Sequence, residues 1–274
     1  MSLNILSIGG SRNIGYFASL RFLNAGCTVT FLLRSPNVFD EDTEIQRHVA
    51  SGKARLLKGD ALVKEDVQRA WDEAGTVDVL LFTVGGKPSF SARNGFVITP
   101  PNLVTQALFN VLRTMPKQEP QPRIVTISSA GLTHSGHAAL PLPLKPLYGY
   151  LLAEPHKDKL GSECLIYHCA GWRWDPKEAE EPGKAYMGSD DWKNDPELPA
   201  PGSLKKVLVI RPALLIDSKC RADKPGRKKP AYRVSDAKDF GGWEVSRRDV
   251  AHFIEDAVFN RWNEFENKCV AIAY

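Results

Sequence analysis

The sequence predicts a doubly wound α/β fold on a mostly parallel sheet, and three observations carry that prediction. Short, nearly continuous apolar runs alternate with segments of helical periodicity, and a strand buried on both faces has that continuous apolar character. The first run passes into a glycine turn, "IGGSRNIGY", that opens a helix. Alternation of strand and helix along the chain then implies parallel pairing with right-handed crossovers.

Taken in order, the candidate strands are Asn4–Ile8, Thr28–Leu33, 54–57, 77–82, Arg123–Ile127, 207–210 and 269–273. The intervening helices show their buried stripe in the spacing of apolar residues. In "KEDVQRAWDEAG" it is Val67, Ala70, Trp71 and Ala74. In "NLVTQALFNVLRTM" it is Val104, Ala107, Leu108, Val111, Leu112 and Met115. In "SRRDVAHFIEDAVF" it is Val250, Phe253, Ile254, Ala257 and Val258, with Ser246 as N-cap and Asp249 completing a capping pair. Three stretches break the rhythm, around 133–155, 171–203 and 216–245. They are expected to be insertions near the carboxyl ends of the later strands, where open α/β sheets bind substrates. The whole chain, 1–274, is therefore one domain with a small substrate-side region.

Composition sets the bounds. With 274 residues, 43% apolar and 25% charged, the chain is long enough for one large α/β domain. A net charge of +4 is far from a nucleic-acid-binding signature, and the basic run at 218–233 is expected to be a solvated loop. No apolar stretch approaches the length that crosses a membrane. Cys27, Cys164, Cys169, Cys220 and Cys269 are odd in number and lack CxxC spacing, which argues for a reduced, cytoplasmic protein without a disulfide framework or zinc site. Cys164 and Cys169 are expected to be packing residues. His134 and His137 stand three apart in a loop with no suitably spaced third ligand, so no metal is expected.

The glycine turn has the context of a dinucleotide site. Gly9 can make the tight turn and Gly15 lets the helix approach the sheet. Backbone N–H groups from Ser11 through Asn13 and Ile14 then favour a diphosphate. Arg12 stands where a middle glycine is usual, so its side chain should turn away from the diphosphate, toward the adenosine side. The second strand ends in Arg34 and Ser35, where an NAD enzyme would carry an acid. Two guanidinium groups suit a 2′-phosphate, so NADP(H) is expected in preference to NAD(H).

These pieces together resemble the atypical short-chain dehydrogenase/reductase group of NAD(P)-binding Rossmann proteins, close to its NmrA-like and epimerase-like branches. The resemblance rests on "GGSRNIG", "LKGDA", "FTVGG", "IVTISSAG", "LVIRPALLID" and "WEVSRRDVAHFI" in that order. It implies that Asp60 and Ala61 border the adenine, and that Val84 and Gly85 lie along the nicotinamide ribose. Pro212, Ala213 and Leu214 would approach the carboxamide. It also implies a small-molecule substrate, and a homodimer as one possible assembly.

Active members of the wider family use Ser, Tyr and Lys for general acid–base work beside hydride transfer. Ser129 matches the serine, and Lys159 with Glu163 resembles the Lys-x-x-x-Glu of the active-site helix. The tyrosine is missing, because Pro155 stands four residues before Lys159. His156, Tyr148 and Tyr150 are the alternative proton donors. Each has a bland alternative: His156 as a helix-start residue bonded to backbone, the tyrosines as lining or core. The expected activity is an NADP(H)-dependent oxidoreductase on a small, largely apolar carbonyl, alcohol or activated alkene. Its cavity would be capped by 87–96, 133–155 and the Trp-bearing 171–203. An NADP(H)-sensing binding protein and a non-redox isomerase or cyclase remain open alternatives.

Overall fold

The computed structural model describes residues 2–91, 95–224, 226, 229–236 and 242–274. The first half alternates regularly: β1 (Asn4–Ile8), α1 (Asn13–Asn24), β2 (Thr28–Leu33), α2 (Thr43–Ala50), β3 (Ala54–Lys58), α3 (Lys64–Ala74) and β4 (Val79–Phe82). A short hairpin, β5 (Ser89–Ser91) with β6 (Gly95–Val97), precedes α4 (Leu103–Arg113) and β7 (Arg123–Ile127). Then come α5 (His134–Ala139), α6 (Ala153–Ala170), α7 (Lys184–Met187), β8 (Val207–Pro212) and β9 (Leu214–Ile216). The chain closes with β10 (Arg233–Ser235), β11 (Glu244–Ser246), α8 (Arg247–Phe259), α9 (Trp262–Phe265) and β12 (Lys268–Ala273).

The main sheet runs β10-β12-β8-β7-β4-β1-β2-β3. Its pairs are parallel except β10, which lies antiparallel on β12 at the edge. The predicted doubly wound, mostly parallel architecture is therefore what the chain forms. All seven predicted strands are present, with ends shifted by one or two residues at the third, fourth, sixth and seventh.

Each central strand feeds two cores, which is why its sequence is apolar throughout. Ile5 faces one core with Val29, Phe31 and Leu33, under α1 and α8. Leu6, Ile8 and Leu32 face the other, under α3, α4 and α6. Successive strand side chains alternate between faces, so only a double-sided core uses every position. The predicted stripes Val67/Ala70/Trp71/Ala74 and Val250/Phe253/Ile254/Ala257/Val258 are fully buried. Cys164 and Cys169 are packing residues, as expected.

Other local expectations need correction. Ser246 does cap α8, its Oγ accepting from Arg248 N at 3.1 Å. Asp249, however, does not complete a capping pair. Its buried carboxylate turns to the 220–222 loop, accepting from Cys220 Sγ, Arg221 N and Ala222 N, and from the Tyr274 hydroxyl at 2.6 Å. That loop has no secondary structure to satisfy its amides, and a buried carboxylate with several donors does so. His134 and His137 sit on the short helix α5, capped by Thr133, rather than in a loop. Their rings face the carbonyls of Lys177 and Lys145.

The Trp-bearing insertion packs differently from its expected place over a substrate. Trp192 is buried edge-on against Phe109 of α4 and beside His168 of α6. Trp172 and Trp174 pack edge-on against Tyr167. The insertion thus shields the outer faces of α4 and α6. Residues 92–94 of the first expected cap lie outside the described residues, as do 225, 227, 228 and 237–241 of the last insertion. Among the described residues, no helix is long and apolar enough to cross a membrane.

Candidate functional site

In the order 3-2-1-4 the chain reverses its direction of travel between β1 and β4, and a crevice opens there beyond the carboxyl ends of the strands. A cleft of about 430 Å³ occupies this place. The β1–α1 turn contributes Gly9, Ser11, Arg12, Asn13 and Ile14; the end of β2 contributes Arg34 and Val38. Asp60 and Ala61 follow β3, Val84 and Gly85 follow β4, and Lys159 comes from α6. Most of the residues expected to hold a cofactor are brought together here.

The turn is tight because Gly9 has φ +91°, and a Cβ on it would lie 2.6 Å from the backbone of Thr83 and Val84. Gly15 has the predicted role of close helix–strand approach, since a Cβ there would meet Gly9 O at 2.7 Å and the Thr83 hydroxyl. Asn13 takes a left-handed φ of +56°, which Asn tolerates better than most side chains. No side chain caps the start of α1 and no acid lies in its first turn. Free N–H groups and the positive end of the helix dipole are what a diphosphate needs, so the residues present fit a dinucleotide.

Arg12 is placed otherwise than expected. Its Nη2 donates to the carbonyl of Gly85 at 3.4 Å, on the β4 side of the cleft. With α1 starting between the two lips, an extended side chain meets that carbonyl first, and Arg34 is the guanidinium at the end of β2. Ser35 is exposed and begins the 3-10 turn Pro36–Phe39 instead of lining the cleft. Asp60 Oδ1 accepts from Leu62 N at 3.0 Å, which shapes the loop after β3.

Lys159 extends from α6 to the ends of two strands. Its Nζ donates to Ile127 O at 2.6 Å and to Val84 O at 3.2 Å. Burial lowers its pKa to about 8, opposed in part by Asp158 and Glu163. Both acids have structural tasks. Asp158 accepts from Val104 N and Thr105 N, holding α4 against α6. Glu163 is fully buried and pairs through both oxygens with Arg211 Nε and Nη2 at 2.9 and 2.6 Å.

The remaining catalytic candidates are not among the residues that line the cleft. Ser129 Oγ is 3.3 Å from His156 Nε2, so His156 pairs with a side chain instead of with backbone. Pro155 occupies the first turn of α6, where its missing N–H breaks no helical bond. Tyr148 is buried edge-on against His156, and burial pushes its pKa up to about 12. Tyr150 is half-exposed. Neither tyrosine lines the cleft. Pro212 pairs with Ile272 in the sheet, and Leu214 packs on Leu140, Leu144 and Tyr148. Ala213 is likewise off the wall, and Leu215 is the residue of that segment that lines it.

Ser128 and Arg247 are among the lining residues that the sequence did not mark. Ser128, beside the expected Ser129, lines the cleft with a buried hydroxyl that has no hydrogen-bond partner among the described residues. Arg247, the first residue of α8, also lines it. The parity of a strand end could have favoured Ser128, but nothing local marks Arg247.

His156 supports a prediction about stability. Burial, with the charges of His137 and Lys159, lowers its pKa to about 4. The folded state then favours the neutral ring, so its contribution is intact above the usual ~6.5 and is lost as pH falls from there toward about 4. Wild-type protein is expected to lose ~3 kcal/mol more than His156→Gln across this window. Urea denaturation of both proteins at a series of pH values measures the difference, and parallel curves would refute it.

No protein-family model matches the chain. A curated relative, the reductase pytE of Aspergillus terreus, is 25% identical over 268 residues, covering 92% of this chain and 90% of the relative. A short-chain dehydrogenase from Burkholderia cenocepacia, solved in complex with NADP, matches with a TM-score of 0.58 at 13% identity, covering 99% and 96% of the two chains. A short-chain dehydrogenase from Streptomyces avermitilis matches with a TM-score of 0.57 at 13% identity, covering 98% and 87%. The chain shares the Rossmann-type fold of these dehydrogenase structures and is similar in sequence, along nearly its whole length, to the curated reductase.

Proposed function

We propose that the protein is an NADP(H)-dependent oxidoreductase acting on a small, largely apolar carbonyl, alcohol or activated alkene. The observation that carries this reading is one cleft joining the uncapped start of α1, Arg34 at the end of β2 and Lys159. The reductase relative and the NADP-bound dehydrogenase structure support it. When bound, the nicotinamide supplies or accepts the hydride.

The chain's own residues then divide the work. The N–H groups from Ser11 to Ile14 hold the diphosphate. Arg34 meets the 2′-phosphate through its planar fork. Asp60 and Ala61 border the adenine, and Val84 and Gly85 follow the ribose nearer the nicotinamide. Lys159 holds that ribose and, with a pKa brought down to about 8, can give or take a proton near neutrality. The Ser129–His156 pair stands next in the chain to Ser128 of the cleft wall. The apolar side chains of Leu103, Ile127 and Leu215 line the cleft, which favours an apolar substrate. This division makes the protein an atypical short-chain dehydrogenase/reductase, since Lys159 acts without a tyrosine four residues before it. Five cysteines, none in a disulfide, suit the reducing cytosol.

Titrating NADPH and NADH while following thermal unfolding tests the binding. Loss of NADPH absorbance against a panel of aldehydes, ketones and enones tests the chemistry. Tight NADPH binding with silence across the panel would overturn the oxidoreductase reading in favour of a nucleotide-sensing module. Arg34→Ala is expected to weaken NADP+ by roughly 10-fold, the scale of one exposed charge-assisted hydrogen bond, and to leave NAD+ unchanged. Equal losses for both cofactors would remove Arg34 from the 2′-phosphate.

A further inference from the structure

Arg247 lies where no motif points. The short strands β9 and β11 pair in parallel, with Ser246 opposite Ile216, and this ribbon brings Leu215 and Arg247 to the wall of the cleft. Arg247 Nη1 is 3.0 Å from Asp217 Oδ1 and 3.4 Å from Leu215 O. Asp217 is 74% exposed and Arg247 23%. An ion pair with so exposed a carboxylate is weakly held, so the guanidinium can change partner at little cost.

Its neighbour fixes where along the cleft it stands. The Arg248 guanidinium lies 4.3 Å over the ring of Phe17 in α1, so α8 begins beside the first turns of α1. That is the helix start without a side-chain cap, and Arg12 beside it is engaged with the Gly85 carbonyl. The cations Arg12, Arg34, Lys159 and Arg247 line the cleft with the acid Asp60, a balance suited to a ligand bearing several phosphate charges.

We infer that Arg247 binds the diphosphate of the dinucleotide, exchanging Asp217 for phosphate oxygens. The inference rests on the dinucleotide reading above and extends it. Arg247 recognises the diphosphate shared by NAD(H) and NADP(H), and Arg34 recognises the 2′-phosphate that separates them. Arginine suits this task because its fork donates two parallel hydrogen bonds to phosphate.

Calorimetric titration of wild type, Arg247→Ala, Asp217→Ala and Arg34→Ala with ADP, NAD+, NADP+ and 2′-AMP tests it. Arg247→Ala is expected to weaken ADP, NAD+ and NADP+ by a common factor of roughly 10- to 100-fold and to leave 2′-AMP within about twofold. Asp217→Ala, which removes the same ion pair but keeps the guanidinium, should bind ADP as wild type does or more tightly. Unchanged ADP binding by Arg247→Ala would overturn the inference alone, as would a loss confined to NADP+ and 2′-AMP. An equal loss of ADP binding in Asp217→Ala would show that the ion pair is merely structural, and would also overturn it. A wild-type protein that binds none of the four ligands would overturn both the dinucleotide reading and this inference.

Discussion

Replacing Lys159 with methionine is expected to lower turnover by roughly 10²- to 10⁴-fold, the usual contribution of a positioned acid–base group. Methionine keeps most of the side-chain volume and removes the ammonium. The carbonyls of Ile127 and Val84 lose their donor, which costs about 1–3 kcal/mol. Relief from burying a cation offsets part of that cost. The fold should therefore persist while activity falls, with the NADPH KM rising because the ribose loses its anchor. In the wild type, the reductive rate should fall as pH rises through about 8, where the ammonium is lost. Steady-state kinetics across that range, with thermal unfolding as control, measure both effects. A turnover number within about threefold of wild type would remove Lys159 from the chemistry.

Gly9→Ala carries the second large effect, on folding and binding together. At φ +91° an alanine is strained, and its Cβ would lie 2.6 Å from the backbone of Thr83 and Val84. Backbone strain of about 1–3 kcal/mol and overpacking of a further 1–3 kcal/mol both apply. The relaxation that relieves them separates the β1 turn from the end of β4, which is the floor of the cleft. Urea denaturation should show a loss of about 2–6 kcal/mol, with dinucleotide binding abolished. Gly85→Ala is the control, because a Cβ there meets nothing within 4 Å. Its stability should stay within about 0.5 kcal/mol of wild type. If the two variants lose stability equally, the close approach at Gly9 is not what the turn requires.

The two arginines illustrate how far residue type alone carries the reading of this site. Arg12 and Arg34 are both legible in the sequence as departures from an NAD-type pattern. Both line the cleft, yet the Arg12 guanidinium is drawn to the Gly85 carbonyl. The direction of a long side chain depends on the acceptors that neighbouring strands bring near, and those arrive from 73 residues away. The serine pair shows the same thing at closer range. Ser128 and Ser129 are chemically identical and adjacent, but only Ser128 lines the cleft. Ser129 turns to His156, because neighbours at a strand end point to opposite sides.

What the sequence alone determined are the properties set by local period and by close backbone approach. Apolar runs specified the seven long parallel strands, and 3.6-residue stripes specified the helices over them. Glycines at 9 and 15 specified a turn that only they can make. Tertiary structure decided which side chains share the cleft, that the tryptophans of the long insertion cover α4 and α6, and that Arg247 joins the cleft wall. The crevice exists only where strand ends far apart in the chain converge. Its walls are therefore fixed by pairing across the sheet and not by any contiguous stretch of residues.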